Sequence, residues 1–444
     1  MRGRAGKRRA DNVRGGVCAG KHIMRIWLLS DYNHKKHLAF KSMLSRFSVA
    51  FPEAEAEFSV KSRRSMWESL FAHLRDPKRN PLADVMEIPQ NWTELFSRLG
   101  LLAELASKVE PLARRRYPDF ILKELCRHDE ARAFSAPWWL EAPALFFRPG
   151  ALEGVCGEPG RELASWEGFR SALDKVSAGV KKRGFRALAS PYSSGAIGTA
   201  DVLPRVWGRR GGLFSDDFNR ATFTREETAG GIEDWLELAV SGKIELFSPD
   251  RFENGPFPVE QCAFIISSRK LPGQNSRKAA PQSRAARSGQ RCAKTGARAA
   301  RGGAGEFKVL PYPGCSEGGG LALVYNLAVS ASSADISGAA AFVSWAMEPE
   351  NLGPFTESFG VFPCFKASFE ELLNGDREAG AYRKIFSAPE LMPNIMAYPT
   401  AELLLERALW NLSLKIVRRD YDREDLTREL IMAQGEADYL LSLY

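Results

Sequence analysis

Between residues 23 and 90 the hydrophobic period of this chain switches back and forth, and that alternation limits its folds more than any single motif. "IMRIWLL" (23–29) is an apolar run of strand length that ends at polar residues. "HLAFKSMLSRFSVAF" (37–51) spaces its apolar residues as a helix does, and Pro52 stops it. "AEAEFSV" alternates as a strand, and "ADVMEIP" is a third short strand. Between them, "SMWESLFAHLRD" is amphipathic, with Met66, Leu70 and Leu74 on one face. Strands alternating with helices predict an α/β layer with a mostly parallel sheet. Ligands of such sheets bind beyond the carboxyl ends of the strands. Asp31, Tyr32, Asn91 and Trp92 fall just past strand ends and are site candidates on that ground.

A second unit of the same kind follows "LFFRPGALEG". "SWEGFRSALDKVSAGVKKRG" (165–184) has a Ser N-cap before its helix and Gly184 near its end. "FRALASP" is a strand, and "DVLPRVWGRRGG" is a helix closed by glycines. "TREETAGGIEDWLELAVSGK" is a capped helix with Trp235 and Leu238 facing inward. "CAFIISS" (262–268), "FKVLPYP" and "LALVYNLAVS" are strands, "ISGAAAFVSWAM" is a helix, and residues 368–444 are almost wholly helical in pattern. Trp345 and Trp410 sit on amphipathic helices and are expected in the core. In "FSAPWWLEAPALFFR" (134–148), strand alternation sends Trp138 and Trp139 to opposite faces, and Glu141 shares a face with Trp139. At most one of the two tryptophans can face a ligand squarely, and the shared face favours Trp139.

The net charge of +8 invites a nucleic-acid reading, so its distribution matters. Residues 1–22 carry seven Lys/Arg against Asp11, and 269–301 carry ten Lys/Arg and no acid, which leaves the remainder at −8. The basic segments are rich in Gly, Ala, Ser and Arg and poor in branched and aromatic residues, a composition expected to stay disordered. They could bind polyanions without specificity. The seven cysteines are scattered with no CxxC, and no Cys/His spacing suggests a metal site; they are expected as single thiols. No stretch has the roughly 20 apolar residues of a membrane-spanning helix.

Catalytic motifs are absent or incomplete. "GGVCAGKH" fits only the first part of a phosphate-binding loop, with His22 in place of Ser/Thr. His34 and His37 share a helical face without a third ligand. "PYSSGAIG" is not a nucleophile elbow. A binding protein without cofactor or metal is expected rather than an enzyme.

Five stretches in order resemble the family 1 solute-binding proteins of ABC importers, the group that includes maltose-binding protein. They are "ADVMEIPQNWTELFSRLGLLAEL", "PWWLEAPALFFR", "SWEGFRSAL", "GGGLALVYNLAVSASSADISGAAAFVSWAM" and "ELMPNIMAYPTAELLLERAL". The resemblance implies a two-lobed periplasmic-binding-protein fold of type II, with α/β lobes joined by a three-segment hinge. It places a basic tail at 1–22, a first lobe at 23–140 plus 263–350 and a second at 141–262 plus 351–444, with a basic insert at 269–304. The two phenylalanines of 146–147 then belong to the second lobe. It implies capture of a sugar or polyol between the lobes of a monomer and delivery to a permease, in the periplasm or at the cell surface. An exported chain would need an apolar leader, which the basic start does not supply; an apolar run encoded upstream is expected.

Carried over by position, Asp31 is a polar contact after the first strand, and Asn91 and Trp92 lie after the third. Glu141 accepts sugar hydroxyls at the crossover, or else is a solvated hinge residue. Gly319 and Gly320 form the glycine turn. The chain departs from the sugar-binder pattern at "SSRK", where Lys270 stands for a tryptophan, and at Glu402, which takes a stacking position close to Tyr398. Trp92, Trp138, Trp139 or Trp207 could replace the lost aromatic platforms, although Trp207 also suits helix packing. The alternative is a cytoplasmic protein binding nucleic acid or another polyanion through its basic segments.

Overall fold

Two sheets of different make-up organise the chain in this computed structural model. It describes residues 23–29, 34–109, 116–125, 133–179, 185–189, 196–247, 261–271, 307–315, 320–374, 376 and 378–443. The expected tail, most of the insert, and Asp31, Tyr32 and Gly319 lie outside the described residues.

The first sheet takes β1 (Ile23–Leu29), β2 (Glu55–Lys61), β3 (Val85–Pro89) and β4 (Ala136–Glu141) from the first part of the chain. The second takes β5 (Ala144–Phe147), β6 (Arg186–Ala189), β7 (Cys262–Ser267) and β8 (Lys308–Pro311). The chain then returns to the first sheet with β9 (Leu321–Val329), β10 (Phe362–Pro363) and β11 (Glu390–Leu391). Strand order in the first sheet is β10-β4-β9-β3-β1-β2, with β11 beside β9, and in the second it is β6-β7-β5-β8. This is the expected two-lobed α/β arrangement. The expectation of a mostly parallel sheet holds for β2-β1-β3, and β6-β7 and β9-β11 are parallel pairs too. β9 runs antiparallel to both β3 and β4, and β5 antiparallel to both β7 and β8, because these strands are joined from sequence-distant parts of the chain rather than through helical crossovers.

Sheet membership corrects the expected lobe boundaries. β7 and β8, placed with the first lobe, hydrogen-bond to β5 in the second sheet. The helix Pro349–Phe359, placed with the second lobe, packs on the helix His34–Ala50 through Phe355 and Phe40. An apolar strand pattern shows that a strand is buried but not which sheet it joins. The chain passes between the two bodies at 141–144, at 311–321 and after β10.

The first sheet is buried on both faces. One face carries Ile26, Leu28, Val85, Leu327 and Val329 into a core with Phe40, Phe342 and Phe355. The other carries Met86, Ile88 and Ala328 onto Met66, Trp67, Leu70 and Trp92. The helix Arg63–Arg75 turns in Met66, Trp67, Leu70 and His73, and Leu74 is exposed, so its buried stripe is set one position away from that expected. The second core gathers Phe147, Trp166, Phe169, Phe264 and Trp235 with the helices Tyr398–Arg418 and Arg423–Leu441. Phe146 points the other way from Phe147, into the first core, as alternation along β5 requires. Trp410, expected inside, is half exposed against Phe247. Among the described cysteines, Cys156, Cys315 and Cys364 are free thiols.

Proline decides the shape of β4. Pro137 cannot donate to the sheet ladder, and the register shifts between Pro137 and Trp139, leaving Trp138 without an opposite residue on β9. Trp138 is fully buried, stacked on Phe355 at 4.5 Å and edge-on to Phe40. Trp139, also fully buried, stacks on Tyr325 at 4.0 Å and meets Phe359 of the same helix as Phe355, so the shifted register turns both tryptophans into the first core, against the alternation expected.

The residues just after β7 tie the passages together. Arg269 Nε donates to Glu141 Oε2 at 2.7 Å, at the end of β4. Lys270 N donates to the Gly360 carbonyl, and Lys270 Nζ pairs with Asp376 at 2.6 Å with both side chains buried. Gly360 caps its helix in the left-handed region (φ 83), and a Cβ there would stand 2.8 Å from the Lys270 carbonyl oxygen. Gly360→Ala is expected to cost about 1–3 kcal/mol in denaturant titration, from strain plus that contact. Trp138→Ala should cost about 3–5 kcal/mol in the same assay, the range of a large aromatic removed from a closed core.

Candidate ligand-binding site

The carboxyl ends of β2 and β3 face the first turns of the helix Tyr398–Arg418 across the seam between the two bodies. Ser62 ends the β2 connection by capping the helix Arg63–Arg75, its hydroxyl accepting from Ser65 N at 3.0 Å. That cap places Arg63 at the first helical position, on the seam. After β3, Pro89 leads into a single turn, Gln90–Trp92, all three residues of which are buried. From the opposite body, Tyr398, Glu402 and Glu406 recur every four residues and so share one face of their helix. Thr199, at the start of the helix Thr199–Gly208, completes that side.

Contacts cross the seam at several points. Arg63 lies 3.3 Å from Glu402 Oε2, and its guanidinium sits 5.6 Å above the Trp92 ring. Asn91 Nδ2 reaches Met392 Sδ at 3.7 Å, and Glu94 N donates to Asn394 Oδ1 at 2.9 Å. On the far side, Thr199 Oγ1 is 2.6 Å from Glu406 Oε1 and 3.3 Å from Glu402 Oε1, while Thr199 N donates to Glu406 Oε1 at 3.0 Å. Burial pushes the Glu402 carboxyl above its ordinary range, and Glu406 adds to this, against the opposing pull of Arg63 and Thr199. Desolvation disfavours the Arg63 cation, but Glu402, Tyr325 and Glu406 outweigh it and hold the guanidinium charged.

Three buried polar atoms at this seam have no hydrogen-bond partner: Gln90 Nε2, Trp92 Nε1 and the Tyr398 hydroxyl. Leaving one such group unpaired costs about 1–3 kcal/mol. Three at one place, beside two carboxylates and a guanidinium, mark a surface built to meet a polar molecule. Burial also raises the Tyr398 phenol well above its ordinary value, and its hydroxyl feels both Glu402 and Arg63.

Of the residues singled out from sequence, the structure brings Asn91, Trp92 and Tyr398 together here. Trp139 lies one layer behind, its ring against Tyr325 and its Nε1 donating to Glu87 Oε1 at 2.8 Å. Trp138 is enclosed in the first core, with no face open to a ligand. Glu141, expected to accept sugar hydroxyls or to be solvated, is neither open nor solvated: it is 1% exposed and paired with Arg269. Trp207 is partly exposed and packs against the second core. Gly320 is partly exposed at the start of β9, its carbonyl accepting from Glu390 N. Arg63, Thr199 and Glu406 were not singled out, and Glu402 only as a departure from an aromatic. The four-residue spacing of Tyr398, Glu402 and Glu406 and the Ser cap beside Arg63 were the available signals.

The two-lobed fold is shared with solved solute-binding proteins. The GacH receptor of Streptomyces glaucescens, solved unliganded and with acarbose, matches with TM-score 0.68 at 14% identity, over 94% of this chain and 99% of that one. The maltose-bound protein MalE3 of T. maritima matches with TM-score 0.69 at 15% identity, over 94% and 100% of the two chains. The maltotriose binding protein of Thermus thermophilus matches with TM-score 0.66 at 15% identity, over 94% and 100%. No family model matches the chain, and no curated protein matches it.

A carboxyl raised in the folded state binds its proton more tightly there than in the unfolded chain. Ionising Glu402 therefore removes stability as pH rises from the ordinary glutamate value of 4.5 through the folded value. Glu402→Gln cannot titrate. Its thermal midpoint, measured against that of the parent, should gain progressively above pH 4.5 and level off once Glu402 is ionised. A difference that stays flat from pH 4 to pH 8 would show that Glu402 is not desolvated.

Proposed function

We propose that this protein is the substrate-binding component of an ABC importer, capturing a carbohydrate or similar polyol between its lobes and delivering it to a permease. The observation that carries this reading is the group of unpaired donors Gln90 Nε2, Trp92 Nε1 and Tyr398 OH, buried beside the carboxylates Glu402 and Glu406. Sugar hydroxyls both donate and accept, so they suit a lining of mixed donors and carboxylates. The comparison proteins, of like fold, were solved with acarbose, maltose and maltotriose.

The mechanism is capture rather than chemistry. Asn91, Trp92 and Arg63 belong to one body, and Tyr398, Glu402, Glu406 and Thr199 to the other. A ligand touching both sets favours the closed seam by its difference in affinity for the closed and open states. The passages at 141–144, 311–321 and after β10 form the hinge. A permease reads closure from outside the cytoplasmic membrane, so we place the protein, as a monomer, in the periplasm or at the cell surface. The basic segments are incidental to capture, and specific nucleic-acid binding is not part of this function.

Thermal shift and calorimetry across monosaccharides, oligosaccharides and polyols test it. At least one should raise the midpoint progressively with concentration, as linkage requires. Trp92→Phe keeps the ring and removes the Nε1 donor, and should weaken that ligand roughly tenfold. Shifts by heparin or DNA alone would overturn the transport reading in favour of polyanion binding.

A further inference from the structure

We infer that the molecule held at this seam carries a protonated amine, as an amino sugar or aminated polyol does; the inference rests on the polyol-capture reading above. Glu402 and Glu406 stand one helical turn apart on the same face, an arrangement in which like charges repel. Both face the same hydroxyl, with Thr199 Oγ1 at 3.3 Å from one and 2.6 Å from the other. A hydroxyl has a single hydrogen to donate and cannot serve both carboxylates at once. Among the described residues the one cation paired with either acid is Arg63, 3.3 Å from Glu402 Oε2 and 45% exposed. Two carboxylates thus meet one guanidinium, one shared hydroxyl and the Thr199 N–H, which leaves them one positive charge short.

Glu406 is exposed at the rim, and the neighbouring unpaired groups lie on the buried side of the pair, beside Glu402. The Tyr398 hydroxyl is fully buried without a partner and lies in the field of both Glu402 and Arg63. Trp92 Nε1, 1% exposed and also unpaired, belongs to the indole under the Arg63 guanidinium. An ammonium supplies three donors and a full charge from one atom. It can bridge Glu402 and Glu406 and still reach the lone pairs of Tyr398. Trp92 and Gln90 then donate to the hydroxyls on the rest of the molecule. A neutral sugar could fill the donors but would leave the two acids undercompensated.

Matched pairs that differ only in amine for hydroxyl test this directly. Glucosamine against glucose, and the glucosamine disaccharide against cellobiose, would be titrated into the full-length protein near pH 6.5 by calorimetry. The amine of at least one pair should bind about tenfold or more tighter, the scale of a charge-assisted hydrogen bond. In Glu406→Gln, an isosteric change at an exposed position, the ratio of the two affinities should fall toward one; Glu402→Gln should do the same. Equal affinity for amine and hydroxyl in the parent protein would overturn this inference and leave the polyol reading standing. An amine preference that survives both substitutions would overturn the assignment to these two glutamates. Failure of every sugar and polyol, aminated or neutral, would overturn the inference together with the function it rests on.

Discussion

A single buried carboxylate organises the first body. Glu87 on β3 is completely enclosed, and it accepts from Leu29 N at 2.9 Å and from Trp139 Nε1 at 2.8 Å while Lys36 Nζ lies at 2.8 Å. One side chain thereby joins β1, the helix His34–Ala50 and β4 to β3. Burying a charge is tolerable only when it is paired and hydrogen-bonded, and losing one partner of such a pair typically costs about 3–5 kcal/mol. The bond from Trp139 also fixes the plane of its ring. That plane stacks on Tyr325, and Tyr325 in turn stabilises the charge of Arg63 at the seam. The geometry of the candidate site is thus inherited from a buried ion pair well inside one lobe.

The bonds across the seam are of a different kind. Arg63 is partly exposed, and a pair of that exposure contributes at most about 1 kcal/mol. Asn91 and Met392 make only a weak sulfur contact. The passages, in contrast, are held by the buried pair Lys270–Asp376 and by Arg269–Glu141. Strong links at the passages and weak ones across the seam are what the proposed capture by opening and closing would require.

Much of the architecture was legible because local pattern determines it. Strand and helix positions followed from hydrophobic period, whereas the divergence expected of Trp138 and Trp139 was undone by the register shift after Pro137. The resemblance pointed to Asn91 and Trp92 and, less directly, to Tyr398, and these three lie at the seam. What could not be read depends on contacts between distant residues. Glu141 seemed available until Arg269, 128 residues away, was seen to occupy it. Arg63 and Glu402 are separated by 339 positions, and no periodicity in either segment points to the other. The assignment of β7 and β8 failed for the same reason, since both sheets bury their strands and leave the same apolar signature. Trp410 lies on an amphipathic helix but meets Phe247 edge-on and stays half exposed.

The position of β9 has a consequence for how the molecule comes to be folded. It is inserted between β3 and β4, antiparallel to both, yet it is made only after the whole second sheet. Until Leu321–Val329 has emerged, β3 and β4 both present an open edge, and Trp139 has no Tyr325 beneath it. Contacts of such long sequence separation slow folding and prolong the life of incomplete states. A chain built in this order can close its first sheet only once the last third of its synthesis has begun.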